Sequence, residues 1–413
     1  MSRTSARAWW DALAAAVAGF AVMTAVAAAG LACAGAGDLP DAAFPRVVAA
    51  VVVMASGGTV EVSGDAGLLA GADAGLSVLP LSVGLAGALT TGYLFLRPLR
   101  HRAVAGPGEL AARAGRSVVL WLALLALFTL PARQDFGLAT GDSPLEELGE
   151  LLDSAPTVGF RAALAPTLLF GLLWILGLLL IALLVSRRTP LPSGLLRFHT
   201  AVRPAAHAVA VLLLVYVALG FVAGLVVAAT QGHAARTFAV LLLGLPNLAW
   251  LALTVGFGGA WQGAVEGPFG LPVPHLLDQV LRGPGGPSTV DAASLAQRDP
   301  RAWWLVVAAA AALLGTGVLA AVRSPADVRP RQHALHLAVA LALATLAVCL
   351  LAGVQARFGL SLLGIGDVPG LDGRAELTPR LLRTTGLALL WGAVAGFLGA
   401  LLARPLRHPG RAP

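Results

Sequence analysis

Apolar runs ended by arginine set the rhythm of this chain. A transmembrane helix needs about 20 mostly apolar residues. Runs that meet or approach this cover 12–36, 76–96, 117–132, 162–186, 204–230, 303–322, 333–355 and 381–403. The run at 117–132 is short unless it starts near Arg113. The first run follows Arg3, Arg7 and Trp9-Trp10, the charges and interfacial aromatics of a membrane entry. It is longer than a signal-peptide core and more runs follow it, so it reads as a retained span. Two segments are ambiguous. Residues 47–55 are apolar but too short to cross, and lead through Ser56-Gly57-Gly58 into the polar stretch 61–73. Residues 237–261 are long enough, but Gly244, Pro246 and Asn247 interrupt them, and Gly256, Gly258 and Gly259 loosen their end. Proline removes a backbone donor and kinks or ends a helix. The segment therefore reads as a kinked span or a re-entrant pair of half-helices.

Composition supports the bilayer as solvent. Hydrophobic residues make up 58% of the 413 and charged residues 12%, against about 45–50% and 25% in an ordinary soluble domain. All 28 Lys+Arg positions are arginine and net charge is +7. Such a basic balance could mark a nucleic-acid binder, but these arginines cluster beside apolar runs, where orientation charges sit. No nucleic-acid partner is expected. With eight spans, 17 arginines and three acids (Asp11, Glu109, Asp327) fall on the side of both termini, which makes that side cytoplasmic. A crossing at 237–261 would make nine spans and flip everything after it. The short loops with Arg323, Arg329 and Arg331, and with Arg404, Arg407 and Arg411, favour eight, with eight to ten as the range.

The fold class expected is therefore all-α: a polytopic integral membrane helix bundle of about eight full spans, with a broken or re-entrant helix near Pro246. Residues 1–413 form a single transmembrane domain. An acidic extracytoplasmic loop occupies 133–160, where Leu145, Leu148, Leu151 and Leu152 fall at helical spacing beside Glu146, Glu147 and Glu150. A long loop at 262–301 is expected outside.

Three short patterns recur. Arg97-Pro98-Leu99-Arg100-His101 returns as Arg404-Pro405-Leu406-Arg407-His408, Arg7-Ala8-Trp9-Trp10 as Arg301-Ala302-Trp303-Trp304, and Gly35-Ala36-Gly37-Asp38-Leu39-Pro40 resembles Gly364-Ile365-Gly366-Asp367-Val368-Pro369. Internal duplication is common in transporter folds. The unequal spacing of the echoes argues against a simple one, and boundary chemistry repeated in a biased composition explains them.

Catalytic chemistry is hard to find. The expected spans hold no acidic residue, which weighs against coupled transport. A phosphate-binding loop needs lysine, and the chain has none. His333 and His336 share a helix face but have no third ligand nearby, so interfacial histidines are the reading. Cys33 and Cys349 each lie in an apolar run, as buried thiols do. No cofactor, metal or catalytic residue is expected. The candidate pore or ligand region is Gly244, Pro246, Asn247, Trp250, Trp261 and Gln262. Gly392, Gly396 and Gly399 form a small-residue face for helix packing.

Several stretches resemble the streptophobe family, polytopic membrane proteins of high-GC actinomycetes. They are Leu76-Ser77-Val78-Leu79-Pro80-Leu81 running into Phe95-Leu96-Arg97-Pro98-Leu99-Arg100, Leu245-Pro246-Asn247 with Trp250, and Ser361-Leu362-Leu363-Gly364-Ile365-Gly366-Asp367. The strongest match is Trp391-Gly392-Ala393-Val394-Ala395-Gly396-Phe397-Leu398-Gly399. The resemblance implies a multi-span membrane protein and carries no site residue onto this chain. The expectation is a non-enzymatic, multi-pass protein of the cell membrane. Its partners are the lipid bilayer and either another membrane protein or a second copy. The alternative is a channel or transporter with its site at 237–261.

Overall fold

The computed structural model describes residues 3–40, 43–65, 70–101, 106–137, 157–186, 196–266, 279–281, 288–325, 328–362 and 373–406. Helices α1 (Arg3–Cys33), α2 (Phe44–Ala55), α3 (Leu81–Leu96) and α4 (Pro107–Thr129) come first. They are followed by α5 (Leu164–Val185), α6 (Leu196–Thr230) and α7 (Ala234–Gly256). The short α8 (Ala292–Arg298) precedes α9 (Trp303–Val322), α10 (Pro330–Ala352) and α11 (Leu381–Leu402). Among the described residues, eight helices are long and apolar enough to cross a membrane: α1, α4, α5, α6, α7, α9, α10 and α11. The protein is a multi-pass helix bundle in a lipid bilayer. Proline at the first turn starts α2, α4 and α10, where its missing N–H costs no hydrogen bond. Pro107 thus begins α4 upstream of the expected 117, and the arginines that bordered that run become helical. Arg113 lies over the Phe95 ring, 5.3 Å from its centroid.

One end of the bundle carries a sheet that helical periodicity did not foretell. Its strands are β1 (Val60–Asp65), β2 (Ala70–Val78), β3 (Arg133–Gly137) and β4 (Thr157–Ala162), then β5 (Trp261–Glu266), β6 (Ser288–Val290), β7 (Val354–Leu362) and β8 (Gly373–Pro379). All pairings are antiparallel, in the order β3-β4-β1-β2-β7-β8-β5-β6. The sheet corrects several expected boundaries. β2, β4 and β7 take one end of the runs at 76–96, 162–186 and 333–355. Within the polar stretch 61–73, residues 61–65 lie in β1 and 70–73 in β2, which pair. The expected loop at 262–301 contains most of β5, all of β6 and α8, and the loop at 133–160 contains β3 and the start of β4. The leucine-spaced helix expected at 145–152 lies outside the described residues. Alternation decides the faces. Val60, Gln134 and Ala162 are buried against the helices. Glu61, Arg133 and Arg161 are exposed.

The shared sheet fixes which helices traverse the bundle. α3 and α4 leave after β2 and return to β3. α9 and α10 leave after β6 and return to β7. Although α3 has only 16 residues, about 24 Å of rise, the turn Arg97–His101 extends it at its far end. Between β4 and β5 lie three helices, α5, α6 and α7. An odd number of traverses cannot start and finish in one sheet, so one of the three stays at the sheet end. That helix is α7. Its middle touches Gly30 near the end of α1 and Leu81 at the start of α3. Its last residue, Gly256, abuts Leu305 at the start of α9. All three contacts are sheet-proximal. Eight helices remain that traverse: α1, α3, α4, α5, α6, α9, α10 and α11. α1 runs antiparallel to α3, as the contacts Gly19–Thr91 and Gly87–Met23 require. α1 therefore starts, and α11 ends, remote from the sheet.

The helix near Pro246 is not broken. α7 runs continuously through it. The reason lies in a tandem repeat. The first four strands are ordered β3-β4-β1-β2 and the last four β7-β8-β5-β6, the same order twice, joined by β2–β7. The helices follow suit: α1, α2, α3, α4 and α5 correspond to α6, α7, α9, α10 and α11. In each repeat the first helix packs on the third and fourth, and the last packs on the same two. Residues 44–60 then align without a gap on 245–261, Pro45 on Pro246 and Gly57-Gly58 on Gly258-Gly259. The α2 helix starts at its proline, whereas α7 extends upstream, which leaves the matching proline inside.

Both copies end alike. Gly57 and Gly258 have φ of 86° and 93°, a left-handed conformation that only glycine adopts freely. The next glycine donates its N–H five residues back, Gly58 to the Val53 carbonyl at 2.9 Å and Gly259 to the Thr254 carbonyl at 2.8 Å. A Cβ there would lie 3.0 Å from the Thr167 methyl and 2.8 Å from the Thr384 methyl, respectively. The echoes in the sequence mark other positions. Arg97-Pro98 follows α3 and Arg404-Pro405 follows α11, which are not equivalent helices, although both sit remote from the sheet.

Gly258→Ala should lose roughly 1 kcal/mol from left-handed strain. Gly259→Val, forced against Thr384, should lose about 1–3 kcal/mol by overpacking. Thermal melts in detergent check both, and a Gly259→Val protein as stable as the parent contradicts the corner described.

Candidate functional site

The region around Pro246 is where the two repeats are tied together by polar groups. Proline cannot donate at position 246, and beside it a hydroxyl from α3 bridges two backbone groups of α7 that lie one turn apart. The Leu245 N–H donates to Ser82 Oγ at 3.0 Å, and Ser82 Oγ donates to the Leu241 carbonyl at 2.8 Å. Serine side chains of neighbouring helices commonly satisfy backbone groups near a proline in membrane helices. One turn later, Asn247 bridges the entry to α3. Its Oδ1 accepts from the Leu81 N–H at 3.3 Å, and its Nδ2 donates to the Leu79 carbonyl at 3.1 Å. The Leu81 N–H is one of the donors that a helix start leaves without an intrahelical partner. The first repeat supplies α3 and the second supplies Asn247.

The other expected site residues bond within the second repeat. Trp250, buried, donates from Nε1 to the Leu213 carbonyl of α6 at 3.1 Å. Trp261, fully buried, donates to Thr254 Oγ1 at 2.9 Å, and that hydroxyl donates to the Leu251 carbonyl at 2.8 Å. Gln262 lies in β5 opposite Thr289 and Thr378, with its side chain exposed. The Gly244 surface is open: a Cβ placed there would meet Asn247 Oδ1 at 3.9 Å. Gly244, Pro246, Asn247 and Trp250 thus line one helix, while Trp261 and Gln262 lie on the strand that follows. The polar groups of Asn247, Trp250 and Trp261 are spent on protein partners. What this arrangement does chemically is hold two repeats at a set angle with neutral hydrogen bonds.

Gly392, Gly396 and Gly399 sit at helix contacts within the chain. Gly392 and Gly396 lie against the α10 backbone at Ala338 and His333, and Gly399 against the α9 backbone at Gly317. Cys33 and Cys349 are both free thiols. Among the described residues, no three His, Cys, Asp or Glu side chains gather as a metal site would require. Sequence reasoning missed Ser82 and the backbone of Leu79 and Leu81. A serine two residues after Pro80, at the head of an apolar run, was the available signal. Comparison with protein-family models, curated proteins and solved structures finds no match to this chain.

Asn247→Ala should destabilise the protein by about 1–3 kcal/mol, because it leaves the Leu81 N–H unpaired. Ser82→Ala should act in the same range, and the double variant should lose less than the sum, since both groups hold one junction. A double-mutant cycle from denaturation in detergent measures the coupling. Strict additivity is the contrary result.

Proposed function

We propose that this protein is a non-enzymatic, multi-pass component of the cell envelope, with both termini cytoplasmic and the sheet outside. The observation that carries the reading is the eight-stranded sheet, fused from two repeats and confined to one end of the bundle. Such a face, with Glu61, Arg133 and Arg161 exposed on it, suits docking of another envelope protein or a second copy. Orientation follows from charge. Arg97, Arg100, Arg323, Arg329, Arg331 and Arg404 all border helix ends remote from the sheet, and arginine-dense short loops stay in the cytoplasm. Kinship with the streptophobe family is part of this proposal and rests on the motifs quoted above.

A channel or transporter is the second reading. It is favoured by one specific observation: the short α2 and the proline-containing α7 occupy corresponding positions in two repeats. Paired short or interrupted helices of this kind point to binding sites in transporters.

Two experiments separate the readings. With Cys33 and Cys349 replaced, Glu61→Cys should label from outside intact cells and Arg329→Cys should not; the reverse pattern defeats the orientation. Mild-detergent capture should then recover a partner or a dimer with the protein. Recovery of the monomer alone, with solute flux in proteoliposomes, would move the assignment to transport.

A further inference from the structure

An opening lies at the β3 edge of the sheet, away from the junction of the repeats. It is a groove of about 390 Å³ lined by Arg46, Leu130, Pro131, Arg133 and Gln134. Three elements build it. Arg46 comes from the first turn of α2, Leu130 and Pro131 end α4, and Arg133 and Gln134 open the edge strand β3. Arg46 stands where the second repeat has Asn247. In place of a tie to α3, its Nη1 donates to Gln134 Oε1, which fixes the guanidinium over the groove.

Arginines concentrate at the other end of the bundle, yet two meet here and a third follows. Arg161 lies directly opposite Arg133 in the β3–β4 register, and like charges in that relation repel. Glu61 is opposite Arg161 on its other side, an opposite charge in register. Arg133, on the outermost strand, has Arg161 as its one partner in register among the described residues. The wall beneath is apolar. Leu130 is 65% exposed and Leu127, one turn earlier on α4, is 57% exposed. An ionic upper rim over an apolar lower wall, where a membrane helix meets its extramembrane sheet, matches a molecule with an anionic head and a hydrocarbon body.

We propose that this groove binds a phosphate oxyanion between Arg46 and Arg133, and that the phosphate is the headgroup of an anionic phospholipid whose chains descend along Leu130 and Leu127. Guanidinium groups recognise phosphate through paired, charge-assisted hydrogen bonds. The bound anion also removes the repulsion between Arg133 and Arg161. The proposal needs only that the groove face the lipid boundary. It holds for either orientation of the protein and for either function above.

The full-length protein, purified in mild detergent, is titrated with phosphatidylglycerol, phosphatidylcholine and inorganic phosphate, and read by native mass spectrometry and thermal melting. Phosphatidylglycerol should be retained and should raise the melting temperature, and phosphatidylcholine should do neither. The Arg46→Gln/Arg133→Gln protein should lose affinity at least about tenfold, the weight of one charge-assisted hydrogen bond. Arg46→Lys should restore part of it, and Arg380→Ala, a charge removed elsewhere at the sheet end, should leave it unchanged. Retention unaffected by the double substitution, in a protein that still melts cooperatively, overturns the site. Arginine-dependent binding of inorganic phosphate without preference for phosphatidylglycerol keeps the oxyanion site and overturns its lipid source.

Discussion

Backbone pairing at the edge of the bilayer governs this molecule. Lipid offers no partner to an N–H or a carbonyl, so a chain leaving a membrane helix must pair its backbone promptly or reach water. Here it pairs. β2 ends at Val78 and α3 begins at Leu81; α10 ends at Ala352 and β7 begins at Val354. Each strand is consumed by the same sheet, and the sheet in turn dictates that helices between successive strand pairs go out and come back. The eight traverses, the exclusion of α7 from them, and the common side of the chain ends follow from that single pairing rule.

Duplication explains what pairing does not. The two copies share a helix that stops at a glycine pair and turns into a strand, and they diverge in how that helix begins. At the close contact with the next helix the glycine has changed sides: Gly84 of α3 lies against the Ala55 carbonyl in one copy, and Gly256 of α7 lies against the Leu305 carbonyl in the other. A backbone-to-backbone approach needs one missing Cβ, and either partner can supply it. Pro45 and Pro246 show the reverse case, in which the residue is kept and its setting altered. At a first turn proline is free of penalty, and inside α7 it sits beside the Ser82 hydroxyl, which bonds the neighbouring backbone.

The apolar runs made the bundle legible, because a helix that meets lipid must be apolar over most of its length. Arginine density argued for eight crossings with 237–261 left out; by length and composition the helix at 234–256 is itself among the eight candidates, and its sheet-proximal contacts are what set it apart. The sheet was not legible. β2, Ala70–Val78, is rich in alanine and glycine, and β6 has three residues. Neither shows the branched alternation that marks a strand on its own. Their pairing is also distant: β1 pairs with β4 and β2 with β7. The repeat was misread for a related reason. The eye finds identical words such as Arg-Pro-Leu-Arg-His, which record where helices meet the same boundary. The homologous words, Ser56-Gly57-Gly58 and Phe257-Gly258-Gly259, share only the residues whose backbone leaves no choice. At the candidate site, Pro246 was recognised as an interruption, but its partner Ser82 lies far off in sequence, so a helix mended by another repeat looked like a broken one.

This difference between the copies also locates the unspent polarity of the molecule. At the inner junction, Asn247 is neutral and every strong polar atom of it has a backbone partner. The corresponding Arg46 is exposed and shares its groove with Arg133. Neutral side chains suit a junction sealed between two repeats, because a charge there would have to be desolvated without a counter-ion. A charge is sustainable at the outer edge, where water or an anion can reach it. Divergence between two copies has thus sorted one position into a structural tie and an exposed cation, and the exposed cation is the one with capacity left to meet something outside the chain.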